Sequence, residues 1–129
     1  MKALITGASS GIGRDMARYL SGLGYELVIV ARRENLLEEL KNELKTNVEV
    51  EVVDVSNIDN CKALYERHKD IDLLINNAGF GLFGEFTETD LDKEMSLIDT
   101  NIKATHILTK LYVQNMKEKN NGKILNVAS

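Results

Sequence analysis

The residues Thr6-Gly7-Ala8-Ser9-Ser10-Gly11-Ile12-Gly13 lie between a short aliphatic run and a segment whose apolar residues recur at helical spacing. A turn at that place can hold a phosphate. Glycine lacks Cβ, so Gly7, Gly11 and Gly13 let the chain reverse tightly, bring backbone N–H groups close to an anion and seat the following helix against the strand. Ser9, Ser10 and Ile12 sit where that helix begins, and a helix N-terminus supplies unpaired donors and positive potential to a pyrophosphate. The spacing is G-x-x-x-G-x-G and not the G-x-G-x-x-G dinucleotide fingerprint, and a plain tight turn before a helix is the competing, lesser account.

The next aliphatic run ends in Ala31-Arg32-Arg33. Dinucleotide sheets selective for NAD place an acidic residue about 20 residues past the glycines, where it accepts from the adenosine ribose 2′-OH. A carboxylate would repel a 2′-phosphate, whereas two guanidiniums can hold it through charge-assisted, bidentate contacts. Arg32 and Arg33 therefore point to NADP (NADPH) ahead of NAD, with solvated loop charges as the competing account.

Such a site needs a sheet beneath it. Segments 2–6, 26–31, 48–53, 71–76 and 123–128 are rich in Val, Ile and Leu and are predicted strands. Between them, helical spacing joins Ile12, Met16, Leu20 and Leu23, then Leu36, Leu37, Leu40 and Leu44, then Ile58, Cys61, Leu64 and Tyr65. The longest connection, 87–119, carries more apolar residues than one solvent-facing helix needs, and predicts a short helix followed by a long one. Strict strand–helix alternation requires parallel strands, right-handed crossovers and helices on both faces. The expected fold is α/β, a doubly wound, Rossmann-like parallel sheet, as one domain over residues 1–129; that length buries one core and leaves no room for a second domain.

Composition removes several classes. Sixteen Lys plus Arg against twenty Asp plus Glu give a net charge of −4, which argues against a nucleic-acid partner. No apolar run approaches a membrane span, and the N-terminal one is too short for a secretory signal. The single Cys61 cannot close an internal disulfide and suits a reducing compartment, so a cytoplasmic location is expected. His68, His106 and Cys61 have no partners at metal-ligand spacing, so no metal site is expected.

Several separated motifs, in order, make the whole chain resemble the single-domain short-chain dehydrogenase/reductase family. Residues 6–13 resemble its glycine motif, Asp54-Val55 the acidic pair that contacts adenine after the third strand, and Asn76-Asn77-Ala78-Gly79 the signature after the fourth. Asn101 matches the catalytic-site Asn, and Leu125-Asn126-Val127-Ala128-Ser129 the fifth strand with its catalytic Ser. Each has a plainer account beside it. Asp54 could equally cap the helix beginning near Asn57, Asn76 and Asn77 are also compatible with a structural role tying neighbouring strands together, Asn101 could be a polar helix-face residue, and Ser129 a polar strand end.

The resemblance implies hydride transfer between a nicotinamide cofactor and a small-molecule carbonyl or alcohol. It places Asp54, Val55, Asn76, Ala78 and Gly79 at the cofactor and Asn101 and Ser129 at the reacting group. In that family a Tyr, with a Lys four residues later, follows the Ser and acts as the proton donor. Tyr65 and Lys69 have that spelling but fall in the third crossover helix, where Tyr65 shares the apolar stripe. The expectation is accordingly the cofactor-binding half of an NADP-dependent oxidoreductase, homo-oligomeric at full length, with its later strands and helices absent and no turnover of its own. The strand over 123–128 would then be an open edge that favours self-association. The apolar stretch 80–86 could line a substrate pocket. A non-catalytic NADP-binding module or redox-sensing regulator on the same fold is the alternative.

Overall fold

Aliphatic residues fill nearly every position of the first two strands, as is required where helices cover both faces of a sheet. The computed structural model describes residues 1–79 and 87–127. In it β1 (Lys2–Thr6) and β2 (Glu26–Ala31) run parallel, with Lys2 opposite Glu26 and Thr6 opposite Val30. β3 (Val48–Val52) continues the sheet beyond β2. The chain then returns to the other side of β1 with β4 (Leu73–Asn76), against which β5 (Lys123–Asn126) pairs. Every pairing is parallel and the order is β3-β2-β1-β4-β5, a Rossmann-like α/β sheet.

The pleat sends successive side chains to opposite faces and so divides the core in two. Ala3, Ile5, Leu27, Ile29 and Ile75 pack with Ala17 of α1 (Gly11–Gly22) and with Leu37 and Leu40 of α2 (Glu34–Glu43). Leu4, Val28, Val30 and Leu74 pack on the other side with Cys61 and Leu64 of α3 (Ile58–Arg67). The last connection completes that second face. α4 (Leu91–Ile98) runs into a π-helical turn, Asp99–Lys103, and then without a break into α5 (Ala104–Glu118), which buries Ala104, Leu108, Tyr112 and Met116. Within the turn Ala104 N donates to Asp99 O, the five-residue spacing that defines a π-helix.

α1 differs from its predicted stripe in an instructive way. Of that stripe Met16 and Leu20 are half-buried and pack against the core, Ile12 and Leu23 are 58% and 62% exposed, and the residues buried against the sheet are Gly13, Ala17 and Ser21. Small residues at i, i+4 and i+8 let the helix axis come close to β1, which the glycine turn demands. A leucine-sized stripe would hold it away. No helix of the described residues is long and apolar enough to cross a membrane.

Candidate functional site

Because β2 and β4 flank β1 while the connections from them leave in opposite directions, the sheet splits at the carboxyl ends of β1 and β4. A cleft of about 660 Å³ opens there. All five strand ends contribute to it: Thr6 and Gly7, residues 30–33, 53–55 and 77–79, and Val127. Leu97, Thr100, Asn101, Ile102 and Thr105 form its far wall, and Ser9, Ser10 and Ile12 its near one.

Thr6 fixes the floor. Its hydroxyl accepts from Asn77 N and Ala78 N, both at 2.9 Å, and aims its own hydrogen at Ile75 O, 3.4 Å away. Asn77 Nδ2 donates to Gly7 O at 3.2 Å, so the glycine turn and the end of β4 are tied together from both directions. Gly7 takes a φ of +64°, and a Cβ there would lie 2.7 Å from Asn77 O. At Gly13 a Cβ would overlap the Gly7 carbonyl oxygen and come within 2.5 Å of Asn77 Nδ2. Both glycines are therefore demanded by backbone approach. Gly13 and Gly11 shape the turn without lining the cleft. Ser10 is the N-cap of α1 and makes no side-chain capping bond, so no side chain competes with an anion for the first-turn N–H groups.

At the other end of the cleft Arg32 and Arg33 follow β2, and Arg33 is the N-cap of α2. Asp54 and Val55 face them from the end of β3. Ser56 holds the Asp54 carboxylate, with Oγ at 2.7 Å and N at 3.0 Å, and these bonds keep its pKa below the usual aspartate range, helped by the charge of Arg32. The cap of α3 is Asn57, whose Oδ1 accepts from Asn60 N at 3.0 Å. Asp54 is thus released from the capping role and left beside the cleft.

On the far wall Asn101 occupies the π-turn and its amide lies against Gly79: a Cβ on Gly79 would overlap Asn101 Oδ1 and come within 2.9 Å of its Cγ. Asn76 sits elsewhere. It is 4% exposed, and its Nδ2 donates to Thr109 Oγ1 at 3.1 Å and Asn126 Oδ1 at 2.9 Å, bracing β4 between α5 and β5 beneath the cleft. Val127 N donates to Asn76 O at 3.0 Å, which carries the β5 pairing to the cleft rim. Ser129 and the stretch 80–86 lie outside the described residues. Tyr65 is remote, its ring edge-on to Tyr112 at 5.0 Å between α3 and α5, with Lys69 paired to Glu66 at 3.0 Å. No group of three or more His, Cys, Asp or Glu side chains fit to hold a metal occurs among the described residues.

The profile of the short chain dehydrogenase family matches residues 1–129. The chain belongs to the short-chain dehydrogenase/reductase family. It is 38% identical over 130 residues to the 3-oxoacyl-acyl-carrier-protein reductase of Rickettsia prowazekii, covering 98% of this chain and 53% of that protein. Among solved structures it resembles the closed form of a serine dehydrogenase complexed with NADP+, with a TM-score of 0.92 and 31% identity over 100% of this chain and 54% of that one. A metagenomic short-chain oxidoreductase in complex with NADP is equally similar, with a TM-score of 0.92 and 31% identity over 100% of this chain and 62% of that one. This short-chain dehydrogenase/reductase sequence therefore spans little more than half the length of these relatives.

Leu97, Thr100, Ile102 and Thr105 line the cleft of this family member but carry no site role in the sequence, while Thr6, Asn77 and Val127 figure there only as members of motifs. Leu97 and Thr105 stand four residues either side of Asn101, so helical period around that one residue would have found them. Thr6 and Asn77 carry no such signal, since their role depends on which strand lies beside which.

Proposed function

We propose that the chain is the cofactor-binding part of an NADP-dependent oxidoreductase that exchanges hydride with a small-molecule carbonyl or alcohol. One observation carries the choice of cofactor: Arg32 and Arg33 line the cleft at the end of β2, the position from which an acidic residue would accept from a ribose 2′-OH. The glycine turn and the uncapped first turn of α1 suit a pyrophosphate, and the anionic Asp54 suits an adenine amino group. Ala78 and Gly79 allow a close backbone approach at the opposite end, beneath Asn101. The two relatives solved with NADP support the same reading.

When bound, the nicotinamide supplies hydride to a carbonyl or accepts it from an alcohol. The chain's own residues bind and orient: Arg32 and Arg33 hold the 2′-phosphate and the turn at Gly7 holds the pyrophosphate, while the family resemblance assigns Ser129 to orienting the substrate oxygen and Asn101 to supporting a water-linked proton relay. Asn76 acts beneath them as a brace. In the one Tyr-x-x-x-Lys of these 129 residues, Tyr65 packs edge-on against Tyr112 of α5 and Lys69 is exposed beyond the end of α3, paired with Glu66. The polypeptide by itself is therefore assigned cofactor binding without turnover, in a cytoplasmic setting.

Titration of the chain's fluorescence with NADPH and with NADH tests this. NADPH binds more tightly, and Arg32→Ala loses about ten- to a hundred-fold of that preference, the worth of a charge-assisted hydrogen bond. Equal binding of the two cofactors, or a preference unmoved by Arg32→Ala, removes the assignment.

A further inference from the structure

We propose that Thr105 is a positioning residue whose hydroxyl sets the π-turn and, through it, the placement of Asn101 in the cleft; the inference rests on the reading of the cleft as a cofactor site. Thr105 begins the second turn's worth of residues past Asn101 and is half-buried on the cleft wall. Its Oγ1 donates to the carbonyl oxygen of Asn101 at 3.2 Å. Hydroxyl bonds of this kind, from a Thr to the carbonyl four residues back, slightly destabilise regular helices and often bend them. Here the carbonyl belongs to a turn that is already widened to five-residue bonding, from Asp99 to Lys103.

The other end of the same residue reaches the cofactor side. The Asn101 amide is pressed against Gly79 so closely that no Cβ fits between them. Gly79 in turn follows Ala78, whose N is fixed by Thr6. One hydroxyl on α5 thus holds a backbone carbonyl, that carbonyl belongs to the residue whose side chain covers Gly79, and Gly79 walls the end of the cleft remote from Arg32 and Asp54. A valine at 105 has nearly the same shape and keeps the β-branch, but it removes the donor. The π-turn would then be free to relax toward ordinary four-residue bonding, which rotates Asn101 away from Gly79.

The test uses two ligands and two variants. NADPH reaches both ends of the cleft, whereas adenosine 2′,5′-bisphosphate occupies only the end formed by Arg32, Arg33 and Asp54. Thr105→Val is expected to weaken NADPH by about fivefold, the worth of one ordinary hydrogen bond, and to leave adenosine 2′,5′-bisphosphate unchanged. Amide hydrogen exchange over 99–106 should quicken in Thr105→Val, and Thr105→Ser, which keeps the donor, should restore both exchange and NADPH affinity. Equal weakening of the two ligands would make Thr105 a merely structural residue and overturn the proposal. So would a Thr105→Ser that behaves like Thr105→Val, or exchange over 99–106 unchanged by the valine. If the unaltered chain binds neither ligand, the cofactor reading fails, and exchange over 99–106 in the three proteins alone decides what Thr105 does.

Discussion

Replacing Thr6 by valine isolates the bond that joins the glycine turn to the end of β4. The side chain is 1% exposed, and valine fills the same space, so the change is confined to the hydroxyl. That hydroxyl accepts two backbone N–H groups, from Asn77 and Ala78, at 2.9 Å each. A buried donor left without its acceptor costs about 1–3 kcal/mol. Both bonds are only partly buried, so the lower end applies to each, and the sum is about 2–3 kcal/mol. Against a total stability of about 5–15 kcal/mol for a small domain, this is a large fraction. Urea unfolding followed by circular dichroism should show the midpoint falling by about 1–2 M at an unchanged slope, because the surface exposed on unfolding is the same. Thr6→Ser, which keeps the acceptor, should recover most of the loss. A valine variant within about 0.5 kcal/mol of the unaltered chain would refute the role given to Thr6, since surface-like changes of that size need no lost bond.

Three further outcomes can be checked separately. Gly13→Ala forces a methyl into the Gly7 carbonyl and the Asn77 amide, and should lower stability by about 1–3 kcal/mol in a thermal melt while weakening NADPH binding. Ser56 holds the Asp54 carboxyl below its ordinary value, so the unfolded chain takes up that proton first as pH falls; the stabilisation is complete above about pH 5 and is lost progressively as pH falls through the lowered folded value, and Ser56→Ala should flatten this acid limb in stability measured against pH. Among the described residues β5 pairs only with β4, and Leu125 is 42% exposed, so sedimentation of this polypeptide should show association with rising concentration, relieved by Leu125→Lys.

The strands were legible because a sheet covered on both faces leaves aliphatic runs that nothing else explains. Arg32, Asp54 and Asn101 were legible because each departs from what its surroundings favour: a cation where a carboxylate is usual, an anion after a hydrophobic strand, an amide inside an apolar helix. The buried face of α1 was not. Hydrophobic spacing points to Ile12, Met16, Leu20 and Leu23, of which Met16 and Leu20 do pack against the core, yet the fully buried positions are the glycine, alanine and serine beside them. For Asn76 the sequence left a cofactor role and a strand-tying role side by side, and strand alternation decides for the second, turning the side chain down into the brace with Thr109 and Asn126. The π-turn left no mark of its own, since one added residue in a helical bond pattern changes neither composition nor the apolar count. Thr6 and Asn77 act across about 70 residues of sequence, and a contact of that kind exists only once β4 has been laid beside β1.

A cleft to which every strand end contributes has a consequence for how ligand and fold depend on each other. A molecule that touches Thr6, Arg32, Asp54, Ala78 and Val127 together is reading the relative position of five strands at once. If any one strand frays or slips in register, the contacts are lost as a group, so occupancy measures the fraction of molecules with the whole sheet in order. The converse also holds: at a hundred times its dissociation constant, such a ligand would stabilise the sheet by about 2.7 kcal/mol. That stabilisation would reach β3 and β5, the two outer strands, as fully as the centre, so cofactor supply would govern how long the least protected edges of the protein stay closed.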